Sequence, residues 1–79
     1  MTLEIITPDK KVFSGEATAV TFPGTEGQFQ ILNNHAALVS TLGKGSIIIE
    51  GNGKETFTVD GGVVEVLNNK VLVLAEAIL

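Results

Sequence analysis

Cysteine, arginine, tryptophan and tyrosine are all missing from this chain of 79 residues. Without cysteine the chain can form no disulfide, no thiolate nucleophile and no cysteine-type zinc site. Without arginine it lacks the planar, bidentate group that best clamps phosphate or carboxylate. It has one histidine, His35, which cannot build a multi-histidine metal site.

Positive charge and long apolar runs are also scarce. Five lysines against nine carboxylates give a net charge of −4, which argues against a basic surface for nucleic acid. The longest apolar run, residues 71–75, is far shorter than the ~20 residues of a membrane-spanning helix. Because the N-terminus also lacks the features of a secretory signal, we expect a single cytosolic domain.

The chain does have a two-residue hydrophobic period that turn residues interrupt every few positions. Thr18, Val20 and Phe22 alternate with smaller side chains, which is typical of a strand. Residues 51–54 (GNGK) and 68–70 (NNK) predict tight hairpins. Residues 36–42 fit either a strand or a short helix. We count eight to ten strands and no convincing helix, which predicts an all-β sandwich or small barrel.

Two features superficially suggest catalysis or nucleotide binding. His35 is the only side chain that titrates near neutral pH, but no nucleophile or carboxylate forms a recognised motif with it. Residues 51–54 resemble a phosphate loop, but Ile48 and Glu55 stand where that motif needs glycine and a hydroxyl residue. A loop histidine and a hairpin turn are the simpler interpretations.

Two further side chains suggest a carrier or a recognition role. Lys10, in a turn predicted at residues 8–10, fits the modified lysine of a lipoyl- or biotinyl-carrier domain, although Lys11 replaces the expected methionine or alanine. Glu26 lies in a glycine-rich turn that would present it outward, where loop residues often mediate recognition. The pattern favours an interaction module over an enzyme, with a carrier domain and a small hydrolase as alternatives.

Three segments resemble the ε subunit of F-type ATP synthase, in the right order and over essentially the whole chain. Residues 23–38, PGTEGQFQILNNHAAL, match its pattern P-G-x-E-G-x-F/L-G-I-L-P-G-H-A-P-L. Residues 12–17 (VFSGEA) and 59–75 match two further conserved stretches of the family. The chain departs from the pattern at Gln30, at Asn33-Asn34 and at Ala37, where the family has glycine, Pro-Gly and proline.

The resemblance implies a flattened antiparallel β-sandwich of about ten short strands at the foot of the central stalk. Such a subunit is non-catalytic, binds no cofactor or metal, and couples the γ subunit to the c-ring for proton-driven ATP synthesis. It would lie at the cytoplasmic face of the bacterial inner membrane. The implied c-ring contacts are Glu26, Gly27 and Gln28, and the implied γ contacts are Thr7, His35, Ala36 and Ser40.

The family's C-terminal helical hairpin has no counterpart in residues 1–79, because the sequence stops at Leu79, just past the last predicted strand. The resemblance therefore implies neither the inhibition of ATP hydrolysis by that hairpin nor the ATP binding seen in some members.

Overall fold

Nine β-strands and no helix make up the computed structural model, which describes residues 1–79. The strands are β1 (Thr2–Ile6), β2 (Lys11–Glu16), β3 (Ala19–Gly24), β4 (Gly27–Leu32), β5 (Leu38–Leu42), β6 (Gly45–Gly51), β7 (Gly53–Val59), β8 (Gly62–Leu67) and β9 (Lys70–Ala75). The all-β prediction is confirmed, and the ambiguous segment at residues 36–42 supplies strand β5. No helix with the length and apolar character needed to cross a bilayer is present.

The strands form two layers that belong to one continuous sheet. One layer has the order β2-β1-β9-β8-β5 and the other the order β7-β6-β3-β4. The layers join at a corner where Gly24 of β3 pairs with Leu42 of β5. Every neighbouring pair is antiparallel except β1 and β9. Strands joined by a short hairpin must be antiparallel, so a parallel pair needs a long connection between its strands. β1 and β9 meet this condition because they are the first and last strands of the chain.

The core lies between the two layers and contains 16 buried apolar residues. Strands β1 and β9 show the expected alternation, with Leu3, Ile5, Val71 and Val73 pointing inward. The run of three isoleucines at residues 47–49 in β6 is typical of a strand buried on both faces. Its first and third members are buried, but Ile48 is only half-buried because it lies on the opposite side of the strand.

Aromatic and backbone contacts close the side of the sandwich opposite the corner. The rings of Phe13 in β2 and Phe57 in β7 meet edge to face, with centroids 6.0 Å apart. Residues 77–79 then pair with the end of β7, where Val59 and Ile78 form a bridge. Both contacts lie at β2 and β7, two edge strands that would otherwise expose more unpaired backbone groups.

Successive turns alternate between two ends of the sandwich, and the two ends differ chemically. The turns β1–β2, β3–β4, β5–β6 and β7–β8 form what we call the charged end, which carries Asp9, Lys10, Glu26, Lys44 and Asp60. The opposite turns form the asparagine end, which carries all five asparagines of the chain: Asn33, Asn34, Asn52, Asn68 and Asn69. Three of them adopt positive φ angles, which asparagine tolerates better than most residues. The predicted hairpins at residues 51–54 and 68–70 both lie here and are confirmed.

We expect Gly62→Ala to destabilise the fold by about 2 kcal/mol or more, because Gly62 has a φ of +151° and left-handed backbone strain costs ~1–3 kcal/mol. A Cβ there would lie 2.3 Å from the carbonyl oxygen of Leu74, which is backbone and cannot move aside. Urea unfolding measures the change. Gly43→Ala is the matched control, since its nearest neighbour is 3.9 Å away. Equal unfolding midpoints for the two variants would contradict the prediction.

Candidate functional site

The most constrained surface turn is the two-residue connection Thr25–Glu26 between β3 and β4, where Gly24 pairs with Gly27. A Cβ on Gly24 would lie 2.6 Å from the carbonyl oxygen of Gly27 and 2.8 Å from the ring of Phe29, and Gly27 has a φ of +126°. That ring packs in turn on Phe22 at a centroid distance of 5.5 Å. The turn thus has this shape because two glycines let the backbone close tightly over an aromatic pair.

Hydrogen bonds fasten this turn to the neighbouring strand β5. The amide of Thr25 donates to the carbonyl of Thr41 at 3.2 Å, and the hydroxyls of the same two residues lie 2.7 Å apart. The amide of Gly43 donates to the carbonyl of Pro23 at 2.8 Å. These contacts lie on the β3 side of Glu26, and they fix the backbone from which its carboxylate projects.

The three residues implied as c-ring contacts lie together on the charged end. Glu26 and Gln28 have exposed side chains, and Gly27 is exposed between them as backbone. Phe29, the next residue, turns inward and is half-buried in the aromatic pair. The surface that this turn offers is thus a carboxylate, an amide and bare backbone.

The four residues implied as γ contacts do not form one cluster. Thr7 lies at the charged end, where its amide donates to the carbonyl of Lys10 at 2.9 Å. His35 and Ala36 lie in the β4–β5 loop at the asparagine end. Ser40 is in the middle of β5, opposite buried Val64 and therefore on the inner side of its strand.

An apolar face that no sequence motif located lies on the outside of the layer formed by β1, β9, β8 and β5. Its most exposed side chains are Val39 (66%), Leu67 (53%), Leu74 (50%) and Val63 (37%). Strand register aligns Ile6, Leu74 and Val63 in one row across the strands. We call this surface the outer apolar face; its apolar members are Ile6, Val39, Val63, Leu67, Leu72 and Leu74, and the exposed Glu65 lies among them. In the sequence, β8 and β9 carry mainly hydrophobic residues on both of their faces. A strand with one face exposed to solvent is expected to be hydrophobic on the other face only.

The outer apolar face runs between the separated γ-contact residues. At the charged end a shallow cleft is lined by Ile6, Thr7 and Leu74. At the asparagine end a second shallow cleft is lined by Ala37, Val39 and Leu67, directly after the segment that carries His35 and Ala36. One partner surface laid along this face would therefore reach both groups.

The remaining candidates show ordinary structural surroundings. Nδ1 of His35 donates to the carbonyl of Ala36 at 2.8 Å, within its own exposed loop. Residues 51–54 join two strands, where a phosphate loop leads into a helix. Lys10 is exposed in its turn. No group of three or more potential metal-ligating side chains comes together.

Comparison with known proteins decides between the alternatives. Residues 1–79 match the family described as ATP synthase, Delta/Epsilon chain, beta-sandwich domain. This chain belongs to that family. The ATP synthase epsilon chain of Maridesulfovibrio salexigens is 51% identical over 75 residues, and that of Pelotomaculum thermopropionicum is 49% identical over 77 residues. Family membership favours a stalk subunit over a carrier domain.

These epsilon chains differ in length. The alignments cover 94% and 95% of this chain but only 53% and 57% of those two relatives. By contrast, the epsilon chain of Chlorobaculum tepidum, 42% identical over 79 residues, is covered over 90% of its length. This chain thus spans about half of the longer relatives and nearly all of a shorter one.

Solved structures share the fold. A chain of the Tetrahymena thermophila mitochondrial ATP synthase central stalk and c-ring superposes with a TM-score of 0.87 at 20% identity, over 99% of this chain and 64% of that one. A chain of the Euglena gracilis mitochondrial assembly of OSCP, F1 and c-ring gives 0.89 at 23% identity, over 98% and 51% respectively. These two chains therefore share the two-layered β-sandwich of this chain.

We expect the Thr25–Thr41 hydroxyl contact to be worth ~0.5–1 kcal/mol, because it is a neutral hydrogen bond at an exposed site. The variants Thr25→Val, Thr41→Val and the double variant form a thermodynamic cycle whose coupling energy can be read from urea unfolding. The pair Thr56→Val and Thr41→Val serves as the control, since Thr56 lies on β7 away from the turn. A coupling energy of zero for the first pair would show that the hydroxyls do not hold the turn.

Proposed function

We propose that this chain is a non-catalytic rotor subunit of an F-type ATP synthase and couples the γ subunit to the c-ring. Family membership supports this role. The structural observation that carries it is the presence of two unlike surfaces on one small sandwich, an apolar strand face and a charged turn. Two unlike surfaces suit a part that must hold two different partners at once.

We assign the outer apolar face to the γ subunit. Apolar patches of this kind are typical of permanent subunit interfaces, where they are covered by a partner. The face also joins the regions of Thr7 and of His35 and Ala36, which the family resemblance implied as γ contacts. Ser40 would contribute through the edge of β5, since its side chain faces inward.

We assign the turn at Glu26, Gly27 and Gln28 to the c-ring. A carboxylate on a fixed turn suits polar loops that carry positive charge, because complementary charges orient partners and speed their association. The hydrogen bonds at Thr25 and Pro23 hold the backbone next to Glu26 in place. In this arrangement the ring turns the sandwich and the sandwich turns γ.

The complex would act in proton-driven ATP synthesis, with this chain on the cytoplasmic face of a bacterial inner membrane. The epsilon chains with 42 to 51% identity described above come from bacteria, which supports that location. No cofactor, nucleic acid or bound ATP is part of the proposed role. If the chain were instead a carrier domain, intact mass of the natively expressed chain would show a lipoyl or biotinyl adduct on Lys10.

We expect Glu26→Lys to weaken attachment of the chain to the c-ring by about tenfold, equivalent to ~1.4 kcal/mol, because it reverses the charge on the fixed turn. The measurement is binding to detergent-solubilised c-ring over a range of salt concentrations. Glu50→Lys, at the other end of the sandwich, makes the same charge change as a control. An unchanged affinity and salt dependence for Glu26→Lys would rule out this turn as the c-ring contact.

We expect Leu74→Lys to reduce the affinity for γ by tenfold or more, about 1.4 kcal/mol, because it places a charge in the apolar row of Ile6, Leu74 and Val63. The side chain is half exposed, so the isolated fold should tolerate the change. Thr56→Lys on exposed β7 is the control. If both variants bind purified γ as the parent chain does, the outer apolar face is not the γ-binding surface.

A further inference from the structure

The turn between β6 and β7 has an unusual chemical character. Gly51 pairs with Gly53, so that Asn52 alone forms the tip of the hairpin. All three residues are exposed. Around Gly53, which has a φ of +136°, no heavy atom lies within 4 Å of the place where a Cβ would be. The side chain of Asn52 makes no hydrogen bond, and its amide is open to water.

We propose that Asn52 is a site of spontaneous deamidation in the folded protein. In this reaction the backbone nitrogen of Gly53 attacks Cγ of Asn52, a C–N bond forms, and the side-chain nitrogen leaves as ammonia. Water then opens the resulting five-membered imide at either carbonyl and leaves aspartate or isoaspartate. The only co-reactant is water, and the mass of the chain rises by about 1 Da.

Two observations make this asparagine different from the other four. It alone precedes glycine; the others precede asparagine, histidine or lysine, whose Cβ crowds the attacking nitrogen. Two of those others also use their side-chain oxygen: Asn33 accepts from the nitrogen of Met1, and Asn69 accepts from the amide of Asn34 at 2.7 Å. A side chain held in this way cannot rotate freely into the attacking geometry.

Local opening of the hairpin supplies the mobility that the reaction needs. β7 is an edge strand of its layer, and its first four residues are exposed. Hairpin tips at a sheet edge open without global unfolding, because little apolar surface is lost. Glycine on both sides of Asn52 widens the backbone conformations that such opening reaches.

The product changes the charge and the backbone of this turn. Aspartate at position 52 adds a negative charge beside the cross-strand pair Glu50 and Lys54 and next to Glu55. Isoaspartate also lengthens the main chain by one methylene carbon in a one-residue tip, which is incompatible with the present pairing of Gly51 and Gly53. The damage is confined to the asparagine end, far along the strands from the turn that carries Glu26.

The test is incubation of the folded chain at mildly alkaline pH, followed by peptide mass spectrometry with fragmentation that separates aspartate from isoaspartate. We expect Asn52 to react at least about tenfold faster than any other asparagine, a barrier difference of ~1.4 kcal/mol. Asn52→Gln is the control, because a glutamine would have to close a less favourable ring, and its chain should keep its mass. The Asn52→Asp chain provides the chromatographic and mass standard for the product.

A parallel incubation in urea separates the effect of structure from that of sequence. Folding should slow Asn33 and Asn69, whose oxygens are hydrogen-bonded, at least about tenfold, and should slow Asn52 less. Equal protection of Asn52 and Asn69 in the folded chain would overturn the proposal. So would deamidation that begins at any other asparagine.

Discussion

The corner at Gly24 is the constraint on which the rest of this structure depends. There β3 leaves one layer and meets β5 of the other, so that two packed layers are also one sheet. The backbone approaches so closely at this point that a Cβ would lie inside van der Waals contact with Gly27 and Phe29. The same glycine begins the turn that carries Glu26. The joint between the layers and the proposed contact with the c-ring are therefore one piece of backbone.

Strand β5 connects that turn mechanically to the outer apolar face. Val39 and Thr41 point to the same side of β5, and Thr41 lies opposite Val63 of the apolar face. Its carbonyl and hydroxyl also hold Thr25 in the turn. A partner bound to the outer apolar face would therefore contact β5, the strand that holds the turn at Glu26. Hydrogen-bonded links of this kind fit the proposed transmission of torque, because they limit relative motion between the two proposed contacts.

The fold was largely predictable from sequence because the turn-forming residues and the two-residue hydrophobic period indicate the same strand boundaries along the chain. Residues 51–54 and 68–70 identified their hairpins, and alternation in β3 identified the inward side chains of Val20 and Phe22. The parallel pairing of β1 with β9 was not predictable, since no local pattern reports which distant strands become neighbours. The isoleucine run of β6 was only partly interpreted, because a continuous apolar run does not say which side meets the core.

The site was predictable only where one turn contains it. Glu26 and Gln28 are close in sequence, and the glycines around them determine how they project. The outer apolar face is assembled from four strands, with Ile6 and Leu74 adjacent only through the β1–β9 pairing. Periodicity marks Leu74 and Val63 as extra hydrophobic residues but does not place them side by side. The residues implied for γ come from separate segments, and only the strand order shows that these segments lie at two ends of the sandwich.

Because the first and last strands together form part of the outer apolar face, that face exists only when the whole sheet is assembled. Ile6 comes from β1, Leu72 and Leu74 come from β9, and the 16-residue core holds the two strands in register. A partner on this face therefore binds the native chain and not the unfolded one, and it stabilises the fold in proportion to its concentration and affinity. For a domain of 79 residues without a disulfide, whose core alone supplies modest stability, stabilisation by such a partner matters more than in a larger domain. The leucine and valine side chains that are exposed on the free chain would be buried by such a partner, and that burial would add to the stability of the fold.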